Sequence, residues 1–138
     1  MKTPDKWIRK YLSTALASLT VNGKSIPVSD TRIPANSNAY ILLTTIDKSN
    51  PIETKCGRVW RASINIDIIT VYDGNNGSRV FAEDIENEVL ARITNPTIEG
   101  FTVDGVDIDF APDLSTITTT QTIFRKIIIY NLKLKENG

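Results

Sequence analysis

The side chains in this sequence that most invite a chemical reading are acidic. Asp104, Asp107 and Asp109 fall within six residues, and carboxylates so spaced can ligate a hard divalent cation. An EF-hand loop would add further ligands and a closing Glu at fixed spacing, and these are missing here. Val106, Ile108 and Phe110 alternate with the acids. A strand with Asp107 and Asp109 on its solvent face and the apolar side chains pointing inward therefore accounts for the cluster. Gly74 and Gly77 precede a helical pattern, which raises a phosphate cradle. A Walker loop needs a closing Gly-Lys-Ser/Thr and a dinucleotide fingerprint needs G-x-G-x-x-G. Neither is present, so a plain strand-to-helix loop is expected. Cys56 lies beside Lys55 and Arg58, which favour a thiolate, but the sequence holds no histidine to activate it. It reads as a loop thiol. Lys2, Lys6, Arg9 and Lys10 are interleaved with Trp7 and Tyr11 and could touch phosphates. The two aromatics fall beside an apolar stripe, so packing is the expected role. The Ser/Thr-rich run at residues 116–122 has no basic partner and reads as a sheet edge or inter-subunit surface. No catalytic, cofactor or metal site emerges, and the chain is expected not to be an enzyme.

Composition narrows the classes further. At 138 residues the chain is expected to form one domain spanning residues 1–138. The 16 basic and 16 acidic residues cancel, so no overall field draws it to nucleic acid or an anionic membrane. Zero net charge also removes the self-repulsion that keeps monomers apart. One cysteine cannot form an internal disulfide, which fits a reducing compartment. No secretory signal is visible in the first ten residues, and no apolar run is long enough to span a bilayer, so no membrane contact is expected.

The elements that must position these side chains follow from periodicity. Ile8, Leu12, Ala15, Leu16 and Leu19 recur at helical steps, which predicts a helix over about residues 5–19. Thr3 is placed to cap it, Pro4 suits its first position, and Asn22-Gly23 ends it. An extended piece follows at 25–33, made an edge or irregular strand by Pro27, then a turn at 33–38 and a strand at 40–46. Residues 47–57 read as a polar loop or hairpin tip, turning at Ser49-Asn50-Pro51.

Residues 58–72 give the clearest strand. Trp60, Ala62, Ile64, Ile66 and Ile68 share one face; Arg61, Ser63, Asn65 and Asp67 share the other. Beyond Ile68 the alternation blurs, predicting either burial on both faces or a bulge. A second helix is expected over residues 79–93, its inner side formed by Phe81, Ala82, Ile85, Val89 and Ile93, with Asn95-Pro96 closing it. Residues 101–103 and 106–110 flank Asp104-Gly105, which reads as a two-residue hairpin turn. A final strand at 115–134 places Phe124, Ile128, Tyr130, Leu132 and Leu134 on one face and Ile127 and Ile129 on the other. The fold class is therefore α+β, a mainly antiparallel sheet flanked by two helices.

This layout resembles a known family. An opening helix leads to a short strand near Asp30–Ile33 and then to a Pro-x-x-x-x-Ala-Tyr-Ile segment (residues 34–41). A long alternating strand ends in an aspartate-glycine loop, an acidic helix follows, and the last strand ends in Phe-Arg-Lys-Ile-Ile-Ile-Tyr (residues 124–130). The pattern is similar, over nearly the whole chain, to the tail-terminator or tail-completion proteins of long-tailed bacteriophages. The resemblance implies a non-enzymatic virion protein of the tail and neck, assembled in the bacterial host cytoplasm. It implies a ring, typically a hexamer, that caps the tail tube, ends its polymerisation and offers a surface to the head–tail connector. Its partners would be further copies of itself, the tail tube protein and a connector or neck protein, with transient contact to DNA in the lumen. The family brings no catalytic residues. Another neck component, a connector or stopper, stands beside this reading, as does a non-viral ligand- or peptide-binding module. In a ring, the residues 47–57 loop would project into the lumen or onto a partner, and Arg61, Ser63, Asn65 and Asp67 would face the lumen or a neighbour.

Overall fold

The computed structural model describes residues 2–30, 38–49, 51–55, 57–74 and 77–137. Helix α1 spans Asp5–Ala15, followed by strands β1 (Thr20–Val21), β2 (Lys24–Ser25), β3 (Val28–Ser29), β4 (Ala39–Lys48), β5 (Ile52–Thr54) and β6 (Gly57–Asp73). Helix α2 (Arg79–Ile93), β7 (Phe101–Phe110), β8 (Thr116–Ile117) and β9 (Gln121–Glu136) complete the chain. The expected α+β class holds. The spine is the pairing of β6 with β9, which runs antiparallel without interruption from Val59 opposite Lys135 to Asp73 opposite Gln121. This answers the blurred pattern beyond Ile68. No bulge shifts the β6–β9 register; instead residues 66 to 70 are all buried, covered on both faces.

Around this spine the order is β3-β4-β6-β9-β7, with β5 also on β6 and β8 on β9. Among the described residues every pairing is antiparallel except β3 on β4. Strands β6 and β7 run parallel, two places apart, joined through α2, with β9 inserted between them. The face bearing Trp60, Ala62, Ile64, Ile66 and Ile68 meets Ile128, Tyr130, Leu132 and Leu134 of β9 and the buried sides of both helices in one core. Helix α2 contributes Ala82, Ile85, Val89 and Ile93, as its spacing predicts. Ser78 caps it, its Oγ accepting from Val80 N at 3.1 Å. Both helices lie on this one face. Among the described residues the other face of the sheet carries no helix.

Several local expectations are corrected. Helix α1 stops at Ala15, four residues early. Ser18 adopts φ 54° and turns the chain, while Leu16 and Leu19 stay buried without being helical. Apolar spacing alone cannot distinguish the last turn of a helix from a turn that keeps the same residues inside. At the other end Pro4, not Thr3, is the capping residue, and it makes no side-chain cap bond. Asn22 and Gly23 do not end the helix. With φ values of 51° and 77° they form the two-residue turn of a hairpin in which Val21 faces Lys24. The expected turn at residues 33–38 lies outside the described residues except for Asn38, and Cys56, Asn75 and Asn76 lie outside them too.

The supposed hairpin at Asp104-Gly105 is a single strand, β7. Val103 faces Leu134 and Gly105 faces Lys133, so Asp104 is an extra residue bulged out of the ladder. Gly105 is not among the glycines with positive φ, which a two-residue turn would need. The nine residues of β7 other than Asp104 all pair with β9. The polar stretch at 47–57 also holds structure: β4 runs on to Lys48, and β5 returns to β6 with Ile52 opposite Val59. Finally, the last strand starts later than residue 115. Thr116–Ile117 form the separate β8, and Thr118 turns the chain, its Oγ1 donating to Gln121 O and accepting from Gln121 N.

Candidate assembly surface

The helix-free face of the sheet gathers most of the polar side chains singled out above. Register places them in rows. Asp47, Ser63, Asn131 and Asp107 lie side by side across β4, β6, β9 and β7; Arg61, Lys133 and Gly105 form the adjoining row. Gly105 has no side chain beside Lys133, so the floor dips there, and a groove of about 700 Å³ runs over these rows. Its charged lining pairs Lys48, Arg61 and Lys133 with Asp47, Asp107 and Asp109. Three cations and three anions cancel, so the groove has no net pull on a polyanion or a cation.

Asp107 and Asp109 are exposed on this face, as expected, and Asn131 Nδ2 donates to Asp109 Oδ2 at 3.1 Å. Asp104 stands apart at the bulge. Among the described residues no three His, Cys, Asp or Glu side chains come together as a metal-holding group. The apolar half of the expectation is corrected. Ile108 packs on the core, but Val106 and Phe110, although on the helix side of the sheet, are exposed, because α2 does not reach over the edge strand. Gly77 sits in the strand-to-helix connection against the Tyr72 ring.

Further along the same face the rows turn apolar: Leu42, Asp67 and Ile127, then Tyr40, Ile69 and Arg125. Asp67 was expected on a solvated side but is only 2% exposed. Arg125 holds it with a fork: Nε lies 3.0 Å from each carboxylate oxygen and Nη2 2.6 Å from Oδ2. The hydrogen bonds to Asp67 raise the Arg125 pKa further. Burial raises the neighbouring Tyr40 hydroxyl, and the Asp67 charge adds to it. Sequence reading missed this pair because its members are 58 residues apart; the one local sign was an Arg interrupting an apolar run.

The three N-terminal lysines gather over the Trp7 ring, and Lys2 also lies 5.5 Å from the Phe101 centroid. Nζ of Lys2, Lys6 and Lys10 lie 4.8, 4.9 and 5.4 Å from the centroid of the Trp7 ring. Lys10 also pairs with Glu99 at 2.7 Å, and its hydrogen bond and charge, aided by Lys2 and Lys6, hold the Glu99 carboxyl below its usual range. Trp7 and Tyr11 pack against the core, as their position beside the stripe predicts.

A different surface signal comes from exposed apolar side chains. Val106, Phe110, Leu114 and Ile117 follow one another along the β7–β8 edge, and Val80 stands next to Arg79, which is tied to that edge by a 3.0 Å bond to Asp113. Hydrogen bonds from the Ser115 side chain, then Arg79, keep the Asp113 carboxyl below its usual range. Ile52 of β5 is the remaining large exposed hydrophobe among the described residues. Of the Ser/Thr-rich run, Thr116 and Ile117 lie at the sheet edge as β8, whereas Thr122 is a correction: it belongs to β9, between β6 and β8, and is buried with its Oγ1 donating to Gly74 O at 2.7 Å.

No family model matches the chain, and no curated protein matches it. Among solved structures the chain is similar to one from a particle described as "Virion of native gene transfer agent (GTA) particle". The two share 13% sequence identity and superpose with a TM-score of 0.64, over 96% of this chain and 99% of that one. At this identity the likeness is one of fold.

Proposed function

We propose that this chain is a structural protein of a phage-type virion, which forms a ring, typically of six copies, on the end of the tail tube. The ring stops tube growth and presents its other side to the head–tail connector. The observation that carries this reading is the fold shared, end to end, with a chain from a gene transfer agent virion. The family layout in the sequence points the same way. The role requires surfaces and no reaction. The chain supplies them as an open sheet face and an edge lined with exposed apolar residues. Contact with DNA in the lumen is transient in this reading, since a chain with zero net charge does not hold a polyanion. Assembly takes place in the host cytoplasm, and the mature protein resides in the tail and neck.

The test is electron microscopy of tails made with and without this chain. Tails lacking it are expected to overgrow and stay headless, and added protein should appear as a ring on the tube tip. Tails of normal length in its absence, with the protein found instead between connector and head, would transfer it to another neck position. A protein absent from virions would end the reading.

A further inference from the structure

The Asn22-Gly23 turn of the β1–β2 hairpin takes no part in the open face or the β7–β8 edge. Both residues are exposed, with φ values of 51° and 77°. The arms on either side are anchored. Val21 is buried, Ile26 N donates to Leu19 O at 2.9 Å, and Lys24 Nζ lies 5.3 Å from the centroid of Phe81 on α2. The turn itself is latched to α2 by Asn22, whose Nδ2 donates to Asp84 Oδ2 at 2.9 Å.

An asparagine followed by glycine can react with itself. The glycine nitrogen loses its proton and attacks the asparagine Cγ. The N–Cγ bond forms, the Cγ–Nδ2 bond breaks, and the amide nitrogen leaves as ammonia, carrying a proton away. Water then opens the five-membered imide at either carbonyl and leaves aspartate or isoaspartate. Glycine favours the attack because no Cβ shields its nitrogen. That nitrogen must also be free of hydrogen bonds.

The fold separates the places where this could happen. Three Asn-Gly pairs, at 22–23, 76–77 and 137–138, and two Asp-Gly pairs, at 73–74 and 104–105, occur in the sequence. Gly74 N donates to Thr120 O at 2.9 Å, and Gly105 lies within the β7–β9 ladder. Asn76 and Gly138 lie outside the described residues. Gly23 N donates to no acceptor among the described residues, and nothing lies within 4 Å of a Cβ placed there, so water and hydroxide reach it. What restrains the reaction at this turn is Asp84. An amide fixed on α2 must leave that bond before it meets Gly23 N.

We propose that Asn22 is a deamidation site guarded by Asp84, and that the reaction unlatches the β1–β2 hairpin from α2. The product sets a carboxylate against the Asp84 carboxylate, so the donor is lost and like charges face each other. In the isoaspartate form the main chain gains one carbon, which a two-residue turn between paired strands does not accommodate. Loss of ammonia makes the change one-way.

The test incubates the full chain at mildly alkaline pH, where the glycine N–H is lost more readily, and maps the digest by tandem mass spectrometry. Aspartate and isoaspartate should accumulate at position 22 in the wild type, and about threefold faster in Asp84→Ala. Asn22→Asp, the product made directly, should melt about 3 °C lower and exchange its amides faster over residues 20–25. Asn22→Asp with Asp84→Asn exchanges donor and acceptor and should regain the wild-type Tm. An Asn22 that stays an amide in both wild type and Asp84→Ala, while a free peptide of residues 20–25 converts, would overturn the site. Conversion no faster in Asp84→Ala would remove the guard, and Asn22→Asp melting with the wild type would remove the unlatching.

Discussion

Replacing Arg125 by Ala tests whether the open face is a built surface. Asp67 sits between Leu42 and Ile127 on neighbouring strands, 2% exposed, with its carboxylate held by three N–H contacts from one guanidinium. Removing one member of a buried pair leaves an uncompensated charge, at a cost of about 3–5 kcal/mol. The Arg125 side chain is itself 41% exposed, so water approaches the site from its side and screens the charge. The expected loss is therefore about 2–3 kcal/mol. For a chain of this length that corresponds to a fall in Tm of about 6–9 °C. Urea denaturation followed by circular dichroism gives the free energy. The double variant Asp67→Val with Arg125→Leu should recover to within about 1 kcal/mol of the wild type, because the neighbours are apolar and the buried charge is gone. A cost below about 0.5 kcal/mol for Arg125→Ala, or a double variant no better than the single, would refute the argument.

Tyr130 donates from its buried hydroxyl to Ile93 O at 2.6 Å, and burial pushes its pKa far up, with Tyr11 adding to the shift. In the unfolded chain a tyrosine ionises near pH 10. Its contribution is therefore fully present below about pH 10 and is lost as pH rises above that, at up to about 1.4 kcal/mol per pH unit; Tyr130→Phe should lessen this alkaline loss in pH-dependent denaturation while costing about 1–2 kcal/mol at neutral pH. Gly23→Ala and Gly77→Ala separate conformation from contact: nothing lies within 4 Å of a Cβ added at Gly23, whereas one added at Gly77 runs into the Tyr72 ring. Losses of about 1 and about 2–3 kcal/mol are expected in chemical denaturation, and the reverse order would contradict this geometry. Arg92 donates to the carbonyls of Ala15 and Ala17 at the end of α1, at 3.4 and 3.0 Å, so Arg92→Ala should lower Tm by about 3 °C and raise amide exchange in that turn.

What could be read locally was read well. Helix α2 was legible because its apolar spacing is regular from Phe81 to Ile93 and Asn95-Pro96 closes it. The inner face of β6 was legible because five apolar residues alternate without a break. Asn22-Gly23 misled because the same pair suits the end of a helix and the turn of a hairpin, and nothing within a few residues decides between them. Asp104-Gly105 misled for the same reason: a hairpin signal between two short apolar runs is overruled when one long partner, β9, can pair with both runs.

By itself the sequence determined the class of the chain: an α+β domain with one alternating strand at its centre, two helices of which only the second had firm ends, and no charge bias towards nucleic acid. Those properties depend on periodicity and composition, which are local or additive. Only the tertiary structure decided that Asp67 is buried against Arg125 and that Val106 and Phe110 face water despite their alternation. Strand order and lateral coverage are set by contacts between residues far apart in the chain. Alternation names the two faces of a strand but does not say whether anything covers them.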